Sequence, residues 1–211
     1  MKKKKGYWQS VLFCLAGFIA LAAWMKSGQV APFDQSVAGW LQGDKSAALE
    51  RLAQWISTLA APKLLLEIST ALAALALLAR ERFKRAAPGL LLFAGVNLLA
   101  GVSNLFLKHW FARPRPIATL SSYSFPSGHS MLGFTFCMTA AYLAWRNCES
   151  RTGRNAALAL GICATLLIGL SRIYLNMHYP SDVLAGFFVS GAIVSAAVMV
   201  FEKTTVQSSN E

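Results

Sequence analysis

Long apolar runs alternate with polar segments along most of this chain. The runs cover approximately residues 11–25, 64–78, 89–107, 131–145, 156–170 and 183–201. A helix needs about 20 apolar residues to cross the hydrocarbon core of a bilayer, so the shorter runs must extend their polar ends into the interface or into protein. The pattern predicts an all-α polytopic membrane protein with six transmembrane helices.

The first run has aromatic residues at both ends, as expected of a helix anchored at two membrane interfaces. Tyr7 and Trp8 lie at one end and Trp24 at the other, about 24 Å apart along a helix. The alternative is a cleaved signal peptide, because the Ala-Leu-Ala sequence at 20–22 has a small-x-small form. Since Trp24 and Met25 continue the run past that point, we expect a retained anchor.

The segment between the first two runs, residues 29–62, is mixed in character. Its apolar residues recur at nearly helical spacing among charged ones: Ala38, Leu41, Leu49, Leu52, Trp55, Ile56 and Leu59. This spacing predicts an amphipathic helix lying in the interface as part of the first outer loop. An ordinary outer loop packed on the helical bundle is the alternative.

Composition supports a membrane protein and argues against a nucleic-acid partner. Hydrophobic residues make up 55% of the chain and charged residues 14%, whereas soluble domains contain about 25% charged residues. The formal net charge is +11, but most of the positive residues flank apolar runs, where they set orientation. The four cysteines show no CxxC or Cys/His metal spacing. We therefore expect a single membrane-embedded domain over residues 1–211, with no metal or cofactor.

Lysine and arginine predict the orientation of the helices. Positive residues cluster in Lys2–Lys5 and in the short segments 80–85 and 146–154, which fall on one side of a six-span arrangement. The positive-inside rule then places both termini in the cytoplasm. It also places two polar segments, 108–130 and 171–182, together on the outer face.

Both polar segments, 108–130 and 171–182, interrupt apolar sequence, which indicates a functional role. The first polar segment reads KHWFARPRPIATLSSYSFPSGHS and the second SRIYLNMHYPSD. Such polar sequence between spanning helices needs water or a polar ligand. Taken singly, Lys108 can be a snorkelling lysine, Ser127 a helix N-cap and Asp182 a cap of the last helix. Taken together, the two segments predict one phosphate-handling site at the membrane surface.

The residue types suit phosphoryl transfer, which needs several fixed cations and N–H donors around the phosphate oxygens. Lys108, Arg115 and Arg172 supply the cations, and the arginines offer forked donors. Ser127 adds a hydroxyl, and Gly128 allows close approach of the backbone at the start of a helix.

Two histidines are available for covalent and acid–base chemistry. His178 and Asp182 are four residues apart, and a carboxylate can hold a nucleophilic imidazole in one tautomer. Pro180 is expected to break regular helix between them, so their contact depends on the geometry of a turn. Chemistry alone does not distinguish His178 from His129 as the nucleophile.

Three short motifs occur in order along the chain. They are Lys108 followed after six residues by Arg115-Pro116, then Pro126-Ser127-Gly128-His129, then Ser171-Arg172 followed after five residues by His178 and after three more by Asp182. This pattern resembles the three-part signature of the type-2 phosphatidic acid phosphatase superfamily. That superfamily contains lipid phosphate phosphatases related to vanadium haloperoxidases and bacterial acid phosphatases.

The resemblance implies a role for each residue. His178 would attack phosphorus and form a phosphohistidine, Asp182 would orient His178, and His129 would protonate the leaving oxygen and later activate water. The implied substrate-binding residues are Lys108, Arg115, Ser127, Gly128 and Arg172. His109 and Arg113 match no defining position: His109 is expected at the interface. Arg113 is a candidate accessory phosphate contact, although a role without substrate contact is favoured.

The resemblance further implies a multi-pass enzyme of the bacterial inner membrane, with its site on the outer face. The favoured substrates are undecaprenyl diphosphate and phosphatidylglycerophosphate, with phosphatidic acid and lipid A phosphates as alternatives. A lipid phosphotransferase using the same phosphohistidine is a rival. A non-catalytic lipid-binding protein is disfavoured because His129, His178 and Asp182 are all present. A haloperoxidase is disfavoured because such enzymes are usually soluble.

Overall fold

A computed structural model describes residues 2–43, 45–79, 82, 84, 86–117 and 122–207. Asp44, parts of the basic segment 80–85 and residues 118–121 of the first polar segment lie outside the described residues. The described part is helical and without strands, which confirms the all-α prediction. Its helices are α1 (Lys2–Lys26), α2 (Ala31–Gln42), α3 (Ala47–Leu59), α4 (Pro62–Leu78), α5 (Ala87–Phe111), α6 (Gly128–Asn147), α7 (Arg151–Tyr174) and α8 (Pro180–Gln207).

Several of these helices are long and apolar enough to cross a membrane, so this is a multi-pass membrane protein. Among the described residues there are five such segments: Gly6–Lys26, Ala47–Leu78, Ala87–Phe111, Arg151–Tyr174 and Pro180–Thr205. The second segment includes both α3 and α4. The predicted span 131–145 lies in α6, which is not among the five. In α6, polar Ser130, Thr135 and Thr139 are fully buried inside the bundle.

Local sequence signals explain where the helices begin. The side chain of Ser127 accepts a hydrogen bond from the backbone N–H of Ser130 at the start of α6, and Ser150 does the same at the start of α7. Pro180 is the first residue of α8, where the missing N–H of proline is harmless. Regular helix is thus interrupted between His178 and Asp182, as expected: His178 lies in the loop before Pro180, and Asp182 lies in the first turn of α8.

The described residues between Gly28 and Ala61 form two helices, α2 and α3, where the sequence pattern predicted one amphipathic helix. Both α2 and α3 pack on α7, and α2 also packs on α8. Large apolar side chains remain exposed on α2 and α3, namely Trp40, Leu49, Leu52, Trp55 and Leu59. Asp34 of α2 is nevertheless buried, with 2% of its surface exposed.

The helix α6 lies at the centre of the bundle, in contact with α4, α5, α7 and α8. Glycine permits its closest approach to α8. A Cβ atom on Gly186 would lie 3.0 Å from Cβ of Ser130 and 3.1 Å from the carbonyl oxygen of Ser127. The start of α6 and the second turn of α8, which directly follows Asp182 and its turn, are therefore held directly against each other.

We expect Gly186→Ala to lower the free energy of unfolding by about 1–3 kcal/mol, because the added methyl group overpacks the α6–α8 contact. Thermal unfolding of the purified protein in detergent measures this effect. The matched control is Gly95→Ala in α5, where a Cβ atom would meet nothing within 4 Å. Helix propensity predicts that the control is neutral or slightly more stable. Equal stability of the two variants would contradict the assigned contact.

Candidate active site

The fold brings the two polar segments together. The first spans the end of α5, the following loop and the start of α6; the second spans the end of α7 and the start of α8. The backbone N–H of Ser127 donates to the carbonyl oxygen of Asp182 at 3.0 Å. A guanidinium nitrogen of Arg115 lies 3.1 Å from the imidazole of His178. Helices distant in sequence thus meet at one group of polar side chains, which includes Arg115, His178 and Asp182 and is called the polar cluster below.

His178 is buried and paired with Asp182. Nδ1 of His178 lies 3.4 Å from Oδ2 of Asp182. The same carboxylate oxygen accepts a hydrogen bond from the backbone N–H of Tyr179 at 3.0 Å and one from the hydroxyl of Ser124. Because α8 begins at Pro180, Asp182 is fixed at the helix start, beside the loop that carries His178.

Arg115 determines the tautomer of His178. Nη1 of Arg115 lies 3.1 Å from Nε2 of His178, and a guanidinium group has only donors. Nε2 must therefore accept, and the ring proton of the neutral imidazole resides on Nδ1, facing Asp182. Arg115 is itself held by the carbonyl oxygens of Met177 and Ser122, both at 2.9 Å. The result is an imidazole with a lone pair at Nε2 beside a cation.

Burial favours the neutral form of this imidazole. It lowers the pKa of His178 to about 4, although the hydrogen bond and charge of Asp182 oppose the shift; the cations Arg115 and Lys108 add to it. Burial also lowers the pKa of Arg115, and the charge of Asp182 partly offsets this. At neutral pH His178 is thus uncharged and Arg115 is cationic.

Two further cations, Lys108 and Arg172, lie within electrostatic range of Arg115. Lys108, near the end of α5, is within electrostatic range of Arg115, Asp182 and Arg172. Arg172, near the end of α7, is only 6% exposed. Its Nη1 donates to the hydroxyl of Ser57 on α3, while its Nε has no hydrogen-bond partner among the described residues. A buried N–H without a partner is unfavourable, and a bound anion would satisfy it.

His129 is the second residue of α6 and faces the same set of charges. It lies within electrostatic range of Arg172, His178, Lys108 and Arg115. His178 and all three predicted cations therefore act electrostatically on His129, and a bound anion of several charges would be stabilised by this concentration of positive charge.

Ser127 and Gly128 have structural roles that the sequence alone left open. The hydroxyl of Ser127 is fully buried and bonded to the backbone N–H and the hydroxyl of Ser130. A Cβ atom on Gly128 would lie 2.9 Å from Oδ1 of Asn104. The ordinary N-cap explanation therefore holds for Ser127, and Gly128 is required by the close approach of Asn104 on α5.

Sequence reasoning missed the residues that support Asp182 from the other side. Nη1 of Arg113 lies 2.6 Å from Oδ1 of Asp182, and Nη2 lies 2.7 Å from Oδ2 of Asp34. Ser124 and Ser181 complete this group. No spacing connects Asp34 with residues so far along the chain, so only the fold reveals the contact.

Among the described residues, no group of three or more His, Cys, Asp or Glu side chains is arranged to hold a metal ion. The acidic side chains nearest to His178 are occupied by Arg113, serine hydroxyls and backbone N–H groups.

These features define a membrane-embedded helical protein with a buried His–Asp pair and converging cations. The family model of the PAP2 superfamily matches residues 89–205, which include both polar segments. The chain belongs to the PAP2 superfamily.

Individual relatives cover shorter stretches. The chain is 38% identical over 104 residues to phosphatidylglycerophosphatase B of Bacillus subtilis, covering 46% of this chain and 49% of that protein. It is 29% identical over 91 residues to an undecaprenyl-diphosphatase of Sulfolobus acidocaldarius, covering 43% of this chain and 38% of that protein. The aligned stretch thus spans less than half the length of each of these relatives.

Similarity of fold extends further. The crystal structure of a transmembrane PAP2-type phosphatidylglycerolphosphate phosphatase from Bacillus subtilis superposes with a TM-score of 0.75 at 25% identity. That match covers 92% of this chain and 96% of the other. Aquifex aeolicus LpxE shares the fold with a TM-score of 0.53 at 24% identity, covering 78% of this chain and 93% of the other.

Burial of neutral His178 predicts a pH-dependent stability. In the unfolded chain an ordinary histidine takes up a proton near pH 6.5, whereas His178 in the folded protein does so only near pH 4. The unfolded state therefore binds more protons between these values, and the folded state loses up to about 3 kcal/mol as the pH falls. Unfolding in detergent at pH 7.5 and pH 5 should show about 2 kcal/mol of this loss. His178→Asn should reduce it, and an unchanged pH dependence would contradict the assignment.

Proposed function

We propose that this protein is an integral-membrane lipid phosphate phosphatase that works through a phosphohistidine at His178. One observation carries the proposal: Nε2 of a buried, neutral imidazole has its lone pair beside the guanidinium of Arg115 and within electrostatic range of Lys108, while Asp182 holds the opposite ring nitrogen. This is the arrangement that an activated histidine nucleophile needs.

In the first step, the lone pair of His178 Nε2 attacks phosphorus and the bond from phosphorus to the leaving oxygen breaks. Arg115 exchanges its contact with Nε2 for one with a phosphate oxygen. The negative charge of the bound phosphate favours protonated His129, which gives its proton to the leaving oxygen. Asp182 stabilises the positive charge that develops on the ring of His178.

In the second step, His129 takes a proton from water, and the resulting nucleophile attacks the phosphohistidine. The bond between nitrogen and phosphorus breaks, which returns the electron pair to His178 and releases phosphate. Throughout, Lys108, Arg115 and Arg172 stabilise charge on the phosphate oxygens by fixed donors. These three cations do the work that magnesium does in other phosphoryl transfers, so we propose a metal-independent reaction.

The relatives support a substrate that is a phosphate ester or diphosphate of a membrane lipid. They are named phosphatidylglycerophosphatase B and undecaprenyl-diphosphatase. We favour phosphatidylglycerophosphate or undecaprenyl diphosphate, whose tails would stay in the bilayer while the phosphate enters the polar cluster.

We further propose six membrane crossings, with α6 as the fourth and both termini in the cytoplasm. The basic residues Arg146, Arg151 and Arg154 flank the short α6–α7 connection, at the end of these helices opposite His129 and Arg172. By the positive-inside rule this end is cytoplasmic, so the polar cluster faces outward. The exposed apolar side chains of α3, such as Leu52 and Trp55, support its placement along the outer interface.

We expect His178→Ala to lower phosphate release by more than about 10³-fold, since it removes the nucleophile. Wild-type protein should hydrolyse one of the favoured lipids in detergent with EDTA present, and vanadate should inhibit by mimicking trigonal-bipyramidal phosphorus. Radiolabelled substrate should leave an acid-labile, base-stable label on the wild type and none on His178→Ala. Full activity of this variant, or a strict magnesium requirement, would refute the mechanism. Product formed only with an acceptor lipid would indicate a phosphotransferase.

Thiol labelling in intact cells tests the outward-facing site. In a background lacking the native cysteines, a cysteine replacing exposed Ser122 should react with a membrane-impermeant maleimide. A protein retaining only native Cys148, in the α6–α7 connection, should react only after permeabilisation. The reverse pattern would place the site on the cytoplasmic face.

A further inference from the structure

The two oxygens of the Asp182 carboxylate face different partners. Oδ2 lies toward Nδ1 of His178, whereas Oδ1 accepts a hydrogen bond from Nη1 of Arg113 at 2.6 Å. The carboxylate is fully buried, so solvent does not compete for either oxygen. The orientation of Asp182 toward His178 is therefore tied to the position of Arg113.

Asp34 in turn fixes Arg113. Nη2 of Arg113 donates to Oδ2 of Asp34 at 2.7 Å. Asp34 also accepts hydrogen bonds from the backbone N–H and the hydroxyl of Ser181, each at 2.8 Å. One carboxylate on α2 thus holds both the arginine that contacts Asp182 and the residue that precedes Asp182.

The remaining surfaces of Arg113 are also covered. Its guanidinium stacks over the ring of Tyr179 at 4.0 Å, and its side chain is 12% exposed. Ala112, which ends α5 in a left-handed conformation with φ of 47°, turns the chain at the residue before Arg113. Alanine adopts this conformation at a cost that glycine avoids, so the turn is maintained by the contacts that follow it.

We propose that Asp34 and Arg113 are positioning residues, which hold Asp182 in register with His178 and thereby couple α2 to the nucleophile. As a statement about catalysis, this inference rests on the proposed function. Ion pairs buried in a low-dielectric interior are sensitive to the loss of one partner. Removing Asp34 should release Arg113 and let the carboxylate of Asp182 rotate away from Nδ1.

The kinetic experiment is a double-mutant cycle. Asp34→Asn should lower kcat on phosphatidylglycerophosphate in detergent micelles by about 10- to 100-fold, the range expected when a partner supporting a functional imidazole is lost. KM should change by less than about 3-fold, because the carboxylate of Asp34 is buried and bonded to Arg113 and Ser181. In an Asp182→Asn background, Asp34→Asn should lower kcat by less than about 3-fold more, because its effect acts through Asp182.

Conservative and control variants sharpen the test. Arg113→Lys keeps the charge and should retain more activity than Arg113→Gln. Glu50→Gln removes an exposed acid from α3, in the same segment 29–62 as Asp34. Its kcat and KM should match those of the wild type. Full multiplication of the Asp34 and Asp182 effects, or a change confined to KM, would overturn the inference. If Asp34→Asn does not fold, Ser181→Ala takes its place under the same criteria.

A spectroscopic measurement separates this inference from the proposed activity. The chain has three histidines, so the imidazole nitrogens of His178 can be assigned in ¹⁵N-labelled protein by comparison with His178→Asn. Asp34→Asn should shift the Nδ1 resonance of His178 in the wild-type background and leave it unchanged in Asp182→Asn. If these shifts are observed but the wild-type protein has no phosphatase activity, the proposed function is refuted and the coupling of Asp34 to His178 is supported. An unshifted Nδ1 in an active enzyme would refute the coupling alone.

Discussion

The arrangement of this site depends on the buried carboxylate of Asp182. It contacts His178, Arg113, Ser124 and the backbone N–H of Tyr179. A carboxylate can leave water only when donors replace the lost hydration. Each of these donors belongs to a loop or helix end that must therefore be in place, so satisfying one charge draws the α5–α6 loop and the α7–α8 connection together.

The cations near this carboxylate make the site suited to an anion with several charges. Lys108, Arg115 and Arg172 lie close enough to influence one another, and like charges held together in a partly buried site repel. The Nε of Arg172 also lacks a partner among the described residues. A bound phosphate would relieve both conditions at once, because its oxygens would accept hydrogen bonds from these donors and offset their charge.

Much of this was readable from local sequence. The length of the apolar runs predicted helices, and Ser127 was a candidate N-cap, which the structure confirms. The spacing of His178 and Asp182 made their pairing possible but left it dependent on the geometry of a turn. These signals are local, since capping, helix periodicity and the motif spacings each involve residues close together in the chain. Pro180 shows the limit of such reasoning: it predicted an interruption of helix between His178 and Asp182, which the structure has, but not the turn geometry that brings the two side chains together.

The sequence alone predicted a helical membrane protein and, by the positive-inside rule, the orientation of its helices. It also identified the residue types suited to phosphoryl transfer. Only the tertiary structure decided which partners those residues have. It placed Gly128 against Asn104 and joined Asp34 to Asp182 through Arg113. The physical reason is that a buried charge must be satisfied by whichever group the fold brings within hydrogen-bond distance. For residues far apart in the chain, their separation in sequence does not reveal whether they are close in space.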